Sequence, residues 1–301
     1  MFEAVFFCVL KFVIFLALGW VLSRTHTLSE QTPEVLSKLL VNLLLPAMVI
    51  QSFVQNFTLQ KLAQNVQLFL IAVISTALTV GLSALFSKVL TKDPFRRNIC
   101  IVALTVPNVS YLGSPLVLEL FGNEALMRLL VYILPMSVFA NTIGFALLTG
   151  TSEKRGFRLN PPLVASVLGM LLGLLGIKLP AFVDSILIGC SSCVGVLSMM
   201  LVGCVLSKYS LKLLVQDKTQ YPVIVMRMLG LPAVCLLAGH TIQLQPQLLL
   251  TLVAANCMPT NLSTVIFPTS VGKESQFGAG MALNSMILAL VTVPLILSFV
   301  C

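Results

Sequence analysis

The chain has 301 residues, of which 58% are hydrophobic and 9% are charged, and its mean hydropathy is +1.04. Soluble domains average about 45 to 50% apolar and about 25% charged residues, so this composition excludes an ordinary soluble protein. The formal charge of +8 would suit nucleic-acid binding, but the Lys and Arg residues lie mostly in short gaps between apolar segments, where they indicate membrane topology instead.

Polar clusters divide the chain into ten apolar segments. In chain order these are 2–22, 35–55, 66–90, 99–121, 127–150, 161–178, 186–207, 221–240, 247–270 and 277–300. A spanning helix needs about 20 residues, so ten spans leave no room for a separate soluble domain. Because backbone polar groups must be satisfied within lipid, the sequence predicts an all-α polytopic membrane protein with ten transmembrane helices. The first segment lacks the features of a cleaved signal and is predicted to be a retained span.

Basic residues lie mainly in alternate gaps between the segments. The opposite gaps contain Lys61, Arg128 and Lys178. By the positive-inside rule the richer side is cytoplasmic, which predicts that both termini lie outside. The twelve basic residues of the richer side are Arg24, Lys88, Lys92, Arg96, Arg97, Lys154, Arg155, Arg158, Lys208, Lys212, Lys218 and Lys273.

The chain also shows signs of an internal duplication. The fourth segment contains Pro107 and Asn108 and ends in Gly122-Asn-Glu124, whereas the ninth contains Pro259-Thr-Asn261 and ends in Gly272-Lys-Glu274. Five spans per half is an odd number, so the second repeat must be inverted. The predicted domains are a first repeat at 1–150, a short cytoplasmic connector at 151–160 and a second repeat at 161–301. Interrupted segments at matching positions of inverted repeats are typical of transporters; the alternative is coincidence in a chain rich in Pro and Gly.

The two prolines are predicted to break their helices, because proline lacks an N–H and its ring clashes with the preceding turn. Breaks near the middle of the membrane would direct two helix N-termini inward, and such ends favour anions. Neighbouring amides and hydroxyls could complete the hydrogen bonds of a carboxylate. The alternative is that these groups only satisfy the backbone freed by the prolines. The candidate substrate-binding residues are Asn108, Pro107, Ser110, Tyr111, Gly113, Pro259, Thr260, Asn261 and Ser263.

Few ionisable residues fall within the segments. Lys11 is expected to reach the membrane surface or to neutralise a bound anion, and Arg227 is expected to anchor its helix at the interface. Glu119 is expected to be solvated near the end of its segment. Since no Asp or Glu lies in the middle of a segment, a proton relay or a carboxylate Na⁺ site has little support.

Other chemistry is not indicated by the sequence. Cys190 and Cys193 form a CxxC motif, but no further His or Cys cluster completes a metal site. Motifs of hydrolases, metalloproteases and ATP-driven pumps are missing. We therefore predict no enzymatic activity, no catalytic residue, no metal and no cofactor.

Several motifs together resemble those of the auxin efflux carrier family, which includes plant PIN carriers and bacterial malonate-type permeases. The fourth segment resembles the family's N-x-x-x-x-G-x-P-L signature, and the other matches extend over essentially the whole chain. The matching stretches are Thr105-Val-Pro-Asn-Val-Ser-Tyr-Leu-Gly-Ser-Pro-Leu116, Leu120-Phe-Gly-Asn-Glu124, Asn42-Leu-Leu-Leu-Pro46, Asn160-Pro161 to Gly169, Leu179-Pro-Ala181, Met258-Pro259 and Gly272-Lys-Glu274.

The resemblance implies an elevator-type carrier with two inverted five-helix repeats. Helices 1, 2, 6 and 7 would form a scaffold, through which a homodimer is expected, and helices 3–5 and 8–10 would form the transport domain. The family's crossover prolines match Pro107 and Pro259, and its substrate-contacting Asn matches Asn108. The long loop of plant carriers is reduced here to 151–160 and the sequence after Pro259 differs from the plant pattern, so auxin itself is not the expected substrate.

These observations predict a secondary transporter of small organic anions, mono- or dicarboxylates of malonate or auxin type, in a bacterial cytoplasmic membrane. The expected partners are the organic anion and the lipid bilayer, without nucleic acid. Three alternatives stay open: a non-transporting membrane sensor or receptor on the same fold, a channel, and an ion-coupled carboxylate symporter. The lack of carboxylates in the middle of the segments favours uniport, but substrate, direction and coupling are not determined by the sequence.

Overall fold

The computed structural model describes residues 2–150, 161–273 and 275–300. Within these ranges the chain forms twelve helices, and the sole β-type pairing is one isolated bridge. The helices are α1 (Phe2–Arg24), α2 (Thr32–Asn56), α3 (Leu59–Leu90), α4 (Pro94–Thr105), α5 (Val109–Thr149), α6 (Pro161–Leu174), α7 (Ala181–Leu206), α8 (Leu211–Gln216), α9 (Gln220–Thr241), α10 (Pro246–Asn256), α11 (Ser263–Thr269) and α12 (Gln276–Ser298).

Seven of the described helices are long and apolar enough to cross a membrane: α1, α2, α3, α5, α7, α9 and α12. Helices α6 and α10 are apolar but have 14 and 11 residues, which at about 1.5 Å per residue is less than the bilayer core of about 30 Å. The prediction of an all-α polytopic membrane protein is therefore confirmed. The structure has seven full-length spanning helices where the sequence predicted ten, and the ten-helix inverted repeat stays a prediction.

The predicted fourth and fifth segments join in a way that the sequence did not indicate. We expected separate spans at 99–121 and 127–150, and Val109–Thr149 consists of two helical stretches that meet at a sharp kink at Gly122. The φ and ψ angles of Gly122 are 77° and −178°, a region that is nearly restricted to glycine. One residue therefore changes the chain direction without a loop.

Four short π-helical turns interrupt the described helices, at Leu40–Leu44, Val109–Gly113, Ala140–Gly144 and Met226–Gly230. Three of them are followed, two residues later, by a proline: Pro46, Pro115 and Pro232. A proline cannot donate to the carbonyl four residues earlier and its ring crowds that carbonyl. A wider turn before the proline accommodates this disruption without ending the helix.

Helices α1, α2, α6 and α7 pack closely through glycines. A Cβ atom added at Gly203 of α7 would lie 2.0 Å from the carbonyl oxygen of Leu16 in α1, and one at Gly173 of α6 would lie 2.6 Å from that of Phe57. Helix α7 also contacts α2. Small residues allow helix backbones to approach where no hydrophobic effect drives association. These four helices therefore form one closely packed group.

Polar contacts gather at the two ends of the helix bundle. At the first end, Arg24 donates to the Tyr209 carbonyl at 2.9 Å and Lys273 to the Thr149 carbonyl at 2.9 Å. Because α1 ends and α12 begins at this end, residues 2 and 298 lie at the other. The second end contains the ion pairs Lys61–Glu124 and Arg128–Glu124, each at 2.8 Å.

These contacts separate basic groups in the same sense as the sequence count, but which end is cytoplasmic stays a prediction. The predicted connector at 151–160, with Lys154, Arg155 and Arg158, lies outside the described residues, as does Glu274.

Candidate functional site

The predicted helix breaks are present. Helices α4 and α5 are separated by residues 106–108, and α10 and α11 by residues 257–262. Pro107 and Pro259 lie inside these gaps, as expected from their missing N–H groups. Helix α11 has seven residues, so the second segment resumes for two turns only.

The two breaks cross and bond to each other. Pro107 and Thr260 form an isolated antiparallel bridge, and the Asn108 N–H donates to the Pro259 carbonyl at 2.8 Å. Two short non-helical stretches therefore pair in antiparallel fashion, and their hydrogen bonds satisfy backbone groups that have no partner within either helix. We call this arrangement, residues 106–108 with 257–261, the crossing.

Asn261 holds the crossing together. Its side-chain Nδ2 donates to the Pro107 carbonyl at 3.1 Å, and its Oδ1 accepts from the Ser263 N–H at 2.8 Å. Its backbone N–H lies 3.4 Å from the Val106 carbonyl. Both polar side-chain atoms are thus used by the backbone, so for Asn261 the alternative interpretation, satisfaction of freed backbone groups, describes what the structure contains.

Asn108 is in the opposite situation. It is 1% exposed, and neither its Nδ2 nor its Oδ1 has a hydrogen-bond partner among the described residues. The hydroxyls of Thr260, Ser263 and Ser114 are also buried and unpartnered within that part of the chain. An unpartnered buried polar group costs about 1 to 3 kcal/mol. Four such residues around one crossing therefore make it the candidate binding site.

A cavity of about 990 Å³ adjoins the crossing, bounded by α2, α5, α6 and α11. Five of the nine predicted residues line it: Pro107, Ser110, Tyr111, Asn261 and Ser263. The other four, Asn108, Gly113, Pro259 and Thr260, are not on the wall of the cavity, and Asn108, Pro259 and Thr260 lie within the crossing itself. Ligand pockets typically have volumes of about 300 to 1,000 Å³.

The sequence analysis missed several polar residues of the cavity wall. Sequence offered little signal for them, because an isolated Ser or Asn in a helix usually bonds to its own backbone. Asn42, Asn141 and Ser166 do so, with carbonyls four residues earlier. The additional polar lining residues are Ser37, Asn42, Ser114, Ser137, Asn141, Thr142 and Ser166.

The wall beside α5 is fixed by α7 and by close packing. Ser198 of α7 donates to the Tyr111 carbonyl at 2.7 Å. A Cβ atom added at Gly113 would lie 3.1 Å from Cγ of Met258, so Gly113 leaves room for the Met258 side chain. The start of α5 therefore has a defined position against both α7 and the second break.

The cavity contains no charged lining residue within the part of the chain that the structure describes. Lys11 does not line the cavity but pairs with Glu119, so neutralisation of an anion in the cavity has no support, and its expected reach to the membrane surface stays a prediction. The expected solvation of Glu119 near the end of its segment stays a prediction. The pair links α1 to α5, and both side chains are about half exposed. A ligand in the cavity would contact only neutral groups.

Arg227 was also predicted incorrectly. Instead of anchoring α9 at the interface, it is completely buried. Its Nη1 donates to the Leu104 carbonyl at 2.7 Å and its Nε to the Met258 carbonyl at 3.1 Å. The sequence position of Arg227 indicated how far along α9 it lies, but not that its side chain projects into the protein. The π turn that contains Arg227, ahead of Pro232, inserts one extra residue into the helix and so alters the direction of its side chains.

All four π turns of the described helices lie at this site. The turns at Leu40–Leu44, Val109–Gly113 and Ala140–Gly144 contribute residues to the cavity wall, and the turn at Met226–Gly230 carries Arg227. π turns occur frequently at functional sites. Prolines within the apolar segments were the available sequence signal for three of these four turns.

Comparison with known proteins identifies relatives of the chain. The model of the Membrane transport protein family, of auxin efflux carrier type, matches residues 4–158 and 151–297. An uncharacterized transporter from Methanothermobacter thermautotrophicus is 25% identical over 175 residues, which are 56% of this chain and 57% of that protein. The matched part thus spans little more than half of that relative. The family match confirms the resemblance that the fourth-segment motif indicated.

Proposed function

Because this chain belongs to the membrane transport protein family of auxin efflux carrier type, we propose that it is a secondary carrier of small organic anions. The observation that carries this proposal is the crossing of two broken helices beside a polar, uncharged cavity of about 990 Å³. Crossed, discontinuous helices next to a cavity are the arrangement in which transporters bind substrates away from water. The proposed substrates are mono- or dicarboxylates.

The polarity of the site favours an anion. Helix α5 begins at the crossing with its N-terminus, and the N–H groups of a first helical turn attract negative charge. Ser110, Ser114 and Ser263 line the same cavity, and serine hydroxyls that turn toward a ligand can donate to a carboxylate. No acidic residue lines the described part of the wall, so a cation site built on carboxylates has no support there.

Asn108 is proposed to complete the site from within the crossing. Its amide has no other partner among the described residues, and its neighbours Pro107 and Val109 both line the cavity. A rotation of the side chain toward the wall would let Nδ2 donate to a bound carboxylate. A hydrogen bond to a charged group contributes about 1.5 to 3 kcal/mol, equivalent to at least tenfold in affinity.

Transport is proposed to follow an elevator-type alternating-access cycle. The closely packed group of α1, α2, α6 and α7 would form the scaffold and the homodimer contact. The helices that carry the crossing, together with α3, α9 and α12, would move as the transport domain. In this scheme residues 1–150 and 161–301 are the two inverted repeats. The packing through Gly203 and Gly173 supports a rigid scaffold.

The location follows from the charge distribution. We propose a bacterial cytoplasmic membrane with the end of the bundle that contains Arg24 and Lys273 on the cytoplasmic side, so that both termini lie outside.

The test is charge movement across proteoliposomes that contain the purified protein. The panel is malonate, malate, pyruvate and indole-3-acetate, each with and without pH and Na⁺ gradients. We expect a saturable current for at least one acid, and a half-saturating concentration at least tenfold higher in Asn108→Ala. Asn56→Ala is the matched control, because among the described residues Asn56 donates to the Ser52 carbonyl in its own helix and does not line the cavity; its current should match that of the unmodified protein.

Two results would contradict the proposal. Binding of an acid without charge movement would indicate a receptor, and a current that does not saturate would indicate a channel. A current that requires a pH or Na⁺ gradient would leave the carrier in place and indicate an ion-coupled symporter.

A further inference from the structure

One buried charge has no role in the proposed binding of the anion. The guanidinium of Arg227 is completely buried, and no carboxylate pairs with it among the described residues. The ionisable side chains that surround it are Cys235, Cys257 and Tyr132, and none of these is a carboxylic acid. A buried charge inside a membrane is costly and requires compensation.

Two helix ends supply that compensation. The Leu104 carbonyl belongs to the last turn of α4, and the Met258 carbonyl lies two residues beyond the end of α10. Carbonyls at such positions have no partner within their own helix. Each helix C-terminus carries about −0.5 of an elementary charge, so the two ends together approach −1. The single positive charge of Arg227 balances them.

Arginine fits this geometry. Its planar guanidinium presents several donors in a fixed fork, and here Nε and Nη1 reach carbonyls of two different broken segments, at 3.1 and 2.7 Å. A third nitrogen, Nη2, has no partner in the described structure. One side chain from α9 therefore joins both halves of the crossing.

Carbonyls at broken helix ends are also the groups with which transporters coordinate a coupled Na⁺. In this chain Arg227 already occupies two of them. We propose that Arg227 is a fixed internal counter-charge and positioning residue for the crossing, which allows the neighbouring site to bind an organic anion without a coupled Na⁺ or proton. This inference rests on the proposed anion transport and specifies how that transport is energised.

The positive charge also lies near the cavity. Met258, which Arg227 contacts, is three residues from the cavity-lining Asn261, a separation that an extended chain spans in about 10 Å. Arg227→Gln would leave the two helix ends without compensation, and at an effective dielectric constant of about 20, about one unit of negative charge at this distance lowers the affinity for an anion by about tenfold.

The inference is tested with the proteoliposome assay and the acid that gives the largest saturable current. For the unmodified protein, we expect the rate to change less than twofold when Na⁺ is replaced by choline and the pH gradient is collapsed. In Arg227→Gln we expect the half-saturating concentration to rise at least tenfold, whereas Arg227→Lys, which keeps the charge, should stay within threefold. Arg128→Gln is the matched control, because Arg128 pairs with Glu124 away from the crossing; its half-saturating concentration should not change.

Each contrary outcome is distinct from failure of the transport proposal, which would be silence of the unmodified protein. A more than tenfold loss of rate without Na⁺ or a pH gradient would overturn the inference while leaving transport intact. A folded Arg227→Gln protein with unchanged half-saturation, or an equal loss in Arg227→Lys, would overturn the role of the charge. If Arg227→Gln does not fold, the unmodified protein and Arg227→Lys still decide the question.

Discussion

At the scale of single residues, the two asparagines of the crossing show how similar sequence positions acquire different roles. Asn108 and Asn261 follow corresponding prolines, and both were predicted to bind substrate. The structure uses both amide atoms of Asn261 in bonds to backbone groups of the crossing, whereas the amide of Asn108 has no partner in the described residues. Asn261 is therefore a structural residue that also borders the cavity, and the unpartnered Asn108 is the residue proposed to bind the ligand.

This difference predicts that replacing Asn261 lowers the stability of the protein more than replacing Asn108. Asn261→Ala breaks two hydrogen bonds and leaves a buried carbonyl without its donor, so we expect a loss of about 1 to 3 kcal/mol. Asn108→Ala removes a polar group that has no partner, so its effect should be less than about 1 kcal/mol in either direction. Thermal unfolding of the purified variants in one detergent compares them directly. A larger loss in Asn108→Ala than in Asn261→Ala would contradict the assignment of roles.

At the scale of helices, the irregularities of the fold coincide with the site. The π turns, the kink at Gly122 and the two breaks all occur in helices that build the crossing or the cavity. The contact between α1 and α7 is by contrast regular and closely packed, because Gly19 and Gly203 let the backbones touch. Irregular backbone is tolerated within a membrane protein where it is buried or lines a cavity. The irregular helices therefore mark the crossing and the cavity, whereas α1 and α7 pack as regular helices.

The close contact of α1 with α7 predicts a position-specific cost of a single methyl group. A Cβ atom at Gly203 would lie 2.0 Å from the Leu16 carbonyl oxygen, whereas one at Gly189 of the same helix would meet nothing within 4 Å. We expect Gly203→Ala to destabilise the protein by about 1 to 3 kcal/mol through overpacking. Gly189→Ala should be neutral or stabilising by up to about 1 kcal/mol, because alanine favours the helix. Thermal unfolding in detergent measures both, and equal midpoints would contradict the packing argument.

At the scale of the whole molecule, the bundle has two chemically different ends. Arg24, Lys273 and their carbonyl partners lie at one end, and the ion pairs around Glu124 lie at the other. Helix α1 ends, and α12 begins, at the first of these. By the positive-inside rule, the end that contains Arg24 and Lys273 is predicted to face the cytoplasm.

Reporter fusions test this orientation. Alkaline phosphatase fused after Ser298 should be active, since it would be exported, and a green fluorescent protein at the same position should be dark. Fusions to a chain truncated after Lys212, a residue of the richer basic side, should give the opposite pattern. A fluorescent fusion after Ser298 would place that end in the cytoplasm and reverse the proposed topology.

The sequence by itself determined the membrane environment, the all-helical class, the family and the two proline breaks. These features depend on composition and on the local chemistry of proline, and neither requires contacts between distant parts of the chain. It could not determine that the breaks bond to each other, that Asn261 is consumed by that bond, or that Gly122 replaces a loop. The sequence also could not show that Arg227 turns inward, although its depth was evident. Only the tertiary structure decided these points, because they depend on which backbone groups two distant segments leave unpaired at the place where they meet.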